Sequence, residues 1–214
     1  MRISFLRPVG ILAILLFTSI RAEAQSEAGI KIDRLEADYQ DPFIQGTVGK
    51  GGASGKPGKW LVIKFIYSTK DASNHDEELS YLDELQFKIY VDATERKNPK
   101  DKKSGDPVVL VGDVTYVNIP SATNLMGCAF VHPDVVARYG GERELGSKYN
   151  IRVEALQNGT VVAFKELKEN DKEYGPNWFS SSKKIPNFIL NKDQTPWITA
   201  DTTGMPMIKR KGGE

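Results

Sequence analysis

Apolar residues in this chain recur mostly at every second position, the spacing of a strand with one buried face, and seldom at the three-to-four spacing of a helix. Leu85, Phe87, Ile89 and Val91 alternate with Gln86, Lys88, Tyr90 and Asp92. Ile151, Val153 and Ala155 alternate with Arg152 and Glu154, and Asn158-Gly159 separates that run from Thr160 to Phe164. Asn-Gly between two such runs predicts a two-residue hairpin, because both turn positions need a positive φ. Val108 to Val111 and Val114 to Ile119 predict a strand pair, or one long strand kinked at Gly112-Asp113. Ile30 and Ile32 share one parity and Leu35 and Ala37 the other. That change of phase predicts a bulge, or a strand that crosses between sheets.

Trp60 to Tyr67 departs from simple alternation. Leu61, Ile63, Phe65 and Tyr67 line one side, while Trp60, Val62 and Ile66 (with Lys64) line the other. Such a strand is covered on both faces, or it offers its second face to a partner. Only Pro133 to Tyr139, stopped by Gly140-Gly141, reads as a helix, with proline at its start and glycine past its end. The breaker-rich stretches 46–58, 97–107 and 170–186 read as long surface loops, and the charge run 95–103 as a solvated one. About seven or eight short strands with one short crossover helix predict an all-β, immunoglobulin-like β-sandwich.

The first residues read as an export signal rather than as fold. Arg2 and Arg7 precede the apolar run Val9 to Phe17, and Ala22-Glu23-Ala24 fits a signal-peptidase site. A run of about nine residues is too short for a membrane-spanning helix, which needs about 20. The expected organisation is a signal peptide over 1–24, a sandwich over 25–198 and a flexible basic tail over 199–214. Cleavage removes Arg2, Arg7 and Arg21 against Glu23, so 29 basic and 28 acidic residues become 26 and 27. That near-neutral balance excludes the strong basic field of a nucleic-acid binder. The mature chain keeps one cysteine, Cys128, so no internal disulfide supports the fold. Cys128 alternates with Phe130 and reads as a buried, inert thiol.

Candidate chemistry is sparse. Gly49 and Gly55 are separated by five residues rather than the four of a P-loop, Pro57 follows Lys56, and a strand rather than a helix comes next. The only histidines are His75 and His132, far apart in sequence. His75-Asp76-Glu77-Glu78 lacks the alternating spacing of a calcium loop. There is no Gly-x-Ser-x-Gly elbow, and Ser180 to Lys183 has the Ser-x-x-Lys spacing without companion motifs. The residues therefore point to no catalytic, cofactor-binding or metal-binding set. Trp178, Phe179, Phe188 and Trp197 close the aromatic inventory. They read as core closure, with Trp178, Phe179 and Trp197 as the alternative platform for a glycan.

Several segments together resemble a known family: the strand Trp60 to Phe65, Phe130-Val131-His132-Pro133, the hairpin Tyr149 to Lys165, and Leu190 to Trp197. With the export signal, they are similar to the small exported immunoglobulin-like proteins encoded with pilus-associated genes in verrucomicrobial bacteria such as Akkermansia. The departure comes after Trp197, where the chain runs into Asp201-Thr202-Thr203-Gly204 rather than further aromatic residues. The resemblance implies a β-sandwich similar to archaeal pilus or archaellum-associated proteins, at the cell envelope, with no known enzymatic activity and no catalytic residues to transfer.

The expected function is a non-enzymatic, exported interaction protein in the periplasm or at the outer membrane or cell surface. It associates with itself or with another envelope or pilus protein through Trp60, Val62 and Ile66, and has no transmembrane helix in the mature chain. A periplasmic or surface carbohydrate-binding module is the alternative.

Overall fold

The computed structural model describes residues 29–41, 58–69, 81–95, 105–139, 150–168, 177–199 and 203–210. The expected export signal, the glycine-rich stretch 49–56, His75, the charge run past Glu95 and Gly140-Gly141 lie outside those residues. The described chain forms two packed antiparallel layers, an all-β sandwich as the alternation requires. The smaller sheet takes β1 (Lys31–Gln40), β2 (Trp60–Ser68), β5 (Leu125–Val131) and β9 (Ile189–Leu190), in the order β1-β2-β5-β9. The larger sheet takes β10 (Met207–Ile208), β4 (Asp106–Pro120), β3 (Tyr81–Glu95), β6 (Asn150–Gln157) and β7 (Thr160–Lys168), in that order. A parallel strand, β8 (Lys183–Pro186), also lies on β4. The helix α1 spans Pro133–Tyr139, and a second short helix, α2, spans Trp178–Ser181.

The core is the set of inward parities. Leu61, Ile63, Phe65 and Tyr67 of β2 meet Leu85, Phe87, Ile89 and Val91 of β3, all without solvent contact. Burying each such side chain stabilises the fold by about 1.5–3 kcal/mol. At the centre, the Phe87 ring lies 4.6 Å from Phe65 and 4.8 Å from Tyr67, centroid to centroid.

Two phase changes keep this core continuous. In β1 the pairing slips between Ile32 and Arg34, so Ile32 and Leu35 both point inward. This is the bulge predicted from the parity switch. In β4, Asn118 adopts φ 51°, and Tyr116 and Ile119, three residues apart, are both fully buried. Val108–Val111 and Val114–Ile119 are thus one long strand, paired along its length with β3. The Asn158-Gly159 hairpin forms as expected, with φ values of 52° and 77° and Gln157 opposite Thr160.

Three departures from expectation fall in the C-terminal third. The stretch 170–186, read as a loop, contains α2 and β8 within its described part. The strands β8, β9 and β10 have four residues or fewer and raise the count among the described residues to ten; runs that short carry no periodicity. The tail expected to be flexible from residue 199 returns to the body as β10, where Met207 pairs with Val117 and Ile208 with Tyr116. It is tied further by Lys209, whose amide donates to the Thr115 carbonyl at 2.8 Å and whose ammonium pairs with Glu84.

Gly127 and two tyrosines test this packing. A Cβ on Gly127 would sit 2.1 Å from the Phe65 ring, which lies across the glycine from the neighbouring strand. Gly127→Val should therefore lower stability by about 1–3 kcal/mol, the cost of overpacking, measured as a fall in urea midpoint. Tyr116 crosses the core so that its phenol oxygen accepts the Cys128 amide at 3.0 Å. The buried Tyr67 phenol finds no hydrogen-bond partner among the described residues. Tyr116→Phe orphans an amide and should cost about 1–3 kcal/mol, whereas Tyr67→Phe should be neutral or stabilising in the same titration.

Candidate functional site

The sandwich carries an apolar cluster on each outer face. On the smaller sheet, the second parity of β2 meets that of β5: Val62 stands opposite Phe130 and Lys64 opposite Cys128. Trp60, Val62, Cys128 and Phe130 form a buried cluster against which Leu190, Trp197 and Met205 pack. The Trp197 ring stacks on Phe130 with centroids 5.1 Å apart and meets Trp60 edge-on at 5.5 Å. His132 closes the far side of Trp60, edge-on at 4.7 Å. Its own Nδ1 accepts the Asp134 amide at 3.2 Å at the entry to α1.

This geometry corrects the reading of Trp60 and Val62 as an open surface. Trp60 is only 6% exposed, because the chain's own C-terminal segment lies over it. Ile66 is the exception among the three, half-buried opposite Met126 and Arg34. Two 3-10 turns, Lys192–Gln194 and Pro196–Thr199, carry Trp197 into place. They leave its neighbour Ile198 54% exposed.

The free edge of β5 is closed by three different devices. The Met126 amide donates to the Gly204 carbonyl at 2.8 Å, the Cys128 amide to Tyr116, and Phe130 and Val131 pair with β9. Unpaired edge groups are templates for unwanted pairing. Here the C-terminal segment and one tyrosine occupy them.

The larger sheet's outer face is built differently. Tyr90 and Val109 are buried there beneath Trp178 of α2, with Phe179 alongside. The Arg152 guanidinium lies between two rings, 4.0 Å from the centroid of Phe164 and 4.3 Å from that of Phe179. Its Nε donates to Glu154 at 2.7 Å and its Nη1 to Glu166 at 2.8 Å. The Tyr90 phenol donates to the other Glu154 oxygen at 3.1 Å, and Lys168 pairs with Glu166 at 3.0 Å. Burial first, then the adjacent Glu154, pushes the Tyr90 pKa up to about 12, against a smaller opposing pull from Arg152. The network holds α2 to the sheet. The outward pair Arg152 and Glu154 was legible as alternation, but the ring on each side of the guanidinium was not.

The proposed glycan platform does not assemble. Trp178 is 4% exposed on the larger sheet's outer face, and Trp197 lies on the smaller sheet's outer face, with the whole core between them. Among the described residues, no three His, Cys, Asp or Glu side chains converge as a metal-holding group. No described helix is long and apolar enough to cross a membrane.

A protein-family model matches residues 21–201, most of the chain. The chain belongs to that family. A crystal structure from Akkermansia muciniphila shares its fold, with a TM-score of 0.62 at 23% sequence identity over 86% of this chain and 93% of that one. No curated protein matches. The family match spans both outer clusters and ends within the C-terminal segment, past Trp197 and before β10.

Two outcomes follow from the clusters. Burial pushes the Cys128 thiol up to about 12, with Lys192 and Lys64 pulling weakly the other way. The folded thiol therefore keeps its proton where the unfolded one, at its ordinary value of 9.0, loses it. Stability is fully present below about pH 9 and falls as pH rises through the folded value. Cys128 should stay unreactive to a thiol reagent at pH 8 until denaturant is added, and Cys128→Ala should flatten the alkaline fall in urea midpoint. Separately, Arg152→Ala removes the cation paired with the buried Glu154 carboxylate, which keeps the Tyr90 phenol as a donor. It should cost about 3 kcal/mol by equilibrium unfolding, as removal of one partner of a buried pair does.

Proposed function

We propose that this chain is a non-enzymatic, envelope-associated assembly protein that docks through the outer face of its four-stranded sheet. The observation that carries this reading is the incomplete cover of that face. Trp197 hides Trp60 and Phe130, yet Ile66 and Met126, partners across β2 and β5, stay half-buried on the same face. Ile198, next to Trp197, is mostly in solvent. Exposed Lys64 interrupts this apolar face between Val62 and Ile66, and beside it runs the polar outer row of β1, with Arg34, Glu36, Asp38 and Gln40 opposite Ile66, Lys64, Val62 and Trp60. An apolar centre with a polar rim is the make-up of a protein–protein contact. The export signal predicted from the sequence and the resemblance to pilus-associated proteins support an envelope setting, in the periplasm or at the cell surface. The partner is a second copy or another pilus or envelope component.

The residues to change are those with exposed area, Ile66 and Ile198. Trp60→Glu would place a charge in the buried cluster and should unfold that face rather than test docking. Ile66→Glu and Ile198→Glu should each leave the far-ultraviolet circular dichroism and urea midpoint near wild type. Cross-linking in native envelopes should give a higher-mass species for the unaltered chain, and both variants should abolish it. Unchanged cross-linking in both variants would eliminate this face.

A further inference from the structure

The C-terminal segment is attached to the sandwich by short, separate contacts. β9 pairs through Ile189 and Leu190 and β10 through Met207 and Ile208, and the segment is tied further by Trp197 on Phe130, by the Gly204 carbonyl on the Met126 amide, and by Lys209 on Thr115 and Glu84. The body it covers is held by long pairings, β4 with β3 and β5 with β2. Its path also begins at a sharp crossing. β8 lies in the larger sheet and β9 in the smaller, with Asn187 and Phe188 between them. Asn187 sits at φ 69°, in the left-handed region. Gly112 has no side chain where Ile189 passes, since a Cβ there would lie 2.6 Å from that of Ile189. A two-residue connection with its first residue, Asn187, left-handed, followed by a segment whose seat exists on every copy, is the arrangement that favours segment exchange.

We propose that two copies exchange this segment: Ile189–Leu190, Trp197 and Met207–Ile208 of one chain seat on β5, on Trp60 and Phe130, and on β4 of the other. The chain straightens at Asn187 to reach across. Every contact made within one chain is remade between two, so the exchanged pair keeps the same hydrogen bonds and releases the left-handed turn. The occupant is a second copy because the seat is shaped by this segment's own residues. The inference deepens the assembly reading and rests on it for its setting, yet it uses seats other than Ile66.

The test uses the mature chain with Cys128→Ser and a cysteine pair, Val117→Cys with Met207→Cys, at facing positions of β4 and β10. Protein refolded over a range of concentrations is oxidised and run on a non-reducing gel. Exchange predicts a covalent dimer whose share rises with refolding concentration and is absent from either single-cysteine variant. Asn187→Gly, which relaxes the hinge, should lower that share, and Asn187→Val, which strains it, should raise it. Monomers with an internal cross-link at every concentration would overturn exchange, as would two free thiols or dimers equally abundant in the single-cysteine variants. A share indifferent to both Asn187 substitutions would overturn the pivot. Added to the pair, Ile66→Glu should leave the cross-linked dimer intact, so loss of face docking and loss of exchange are read separately.

Discussion

A strand that is apolar on both faces has to be covered twice, and β2 imposes that condition on the whole molecule. Its inward parity is met by the larger sheet through Phe65, Tyr67 and Phe87. Its outward parity cannot be met by a third layer, because the described chain builds only two sheets. The cover comes from the C-terminal segment, which folds back to set Trp197 on Trp60 and Phe130. Cys128 is buried as a consequence, and its thiol is held protonated by that burial.

The same segment manages the edges. A sandwich without disulfides or metal ligands among its described residues depends on burial and on satisfied backbone groups. β5 would present a bare edge to solvent were it not for β9, the Gly204 carbonyl and the Tyr116 phenol. β4 receives β8 and β10 at successive heights along one edge. On the larger sheet, α2 and the Arg152 network do for Tyr90 and Val109 what Trp197 does for Trp60 and Val62. In each case a tryptophan from the C-terminal third covers a buried outer cluster, and its neighbour, Phe179 or Ile198, lies closer to solvent.

Much of this was legible in the alternation. The inward faces of β2, β3 and β6, the bulge in β1, the Asn158-Gly159 hairpin and α1 all follow from parity and turn chemistry. The doubly apolar run from Trp60 correctly signalled that a second cover was needed. What supplies the cover was not legible, because β9 and β10 are two residues long and 3-10 turns have no amphipathic period. Trp197 itself read as core closure, which it supplies, while the stretch past 199 that read as a flexible tail adds the Gly204 carbonyl and β10. Placing Trp178 and Trp197 on opposite outer faces likewise required knowing which sheet each segment crosses, and no local pattern encodes that. The phase change at Asn118 was hidden too, since an asparagine between apolar residues looks like ordinary alternation.

The central claim is that the C-terminal segment is an integral cover of the smaller sheet rather than an appendage. Amide hydrogen exchange at Met126 tests it most directly, because that amide donates to the Gly204 carbonyl of the segment. The account predicts that Met126 exchanges as slowly as the core of β5 in the native chain. It should become fast in Trp197→Ala while Phe87 and Ile89 stay protected. Rapid exchange at Met126 in the unaltered chain would contradict it.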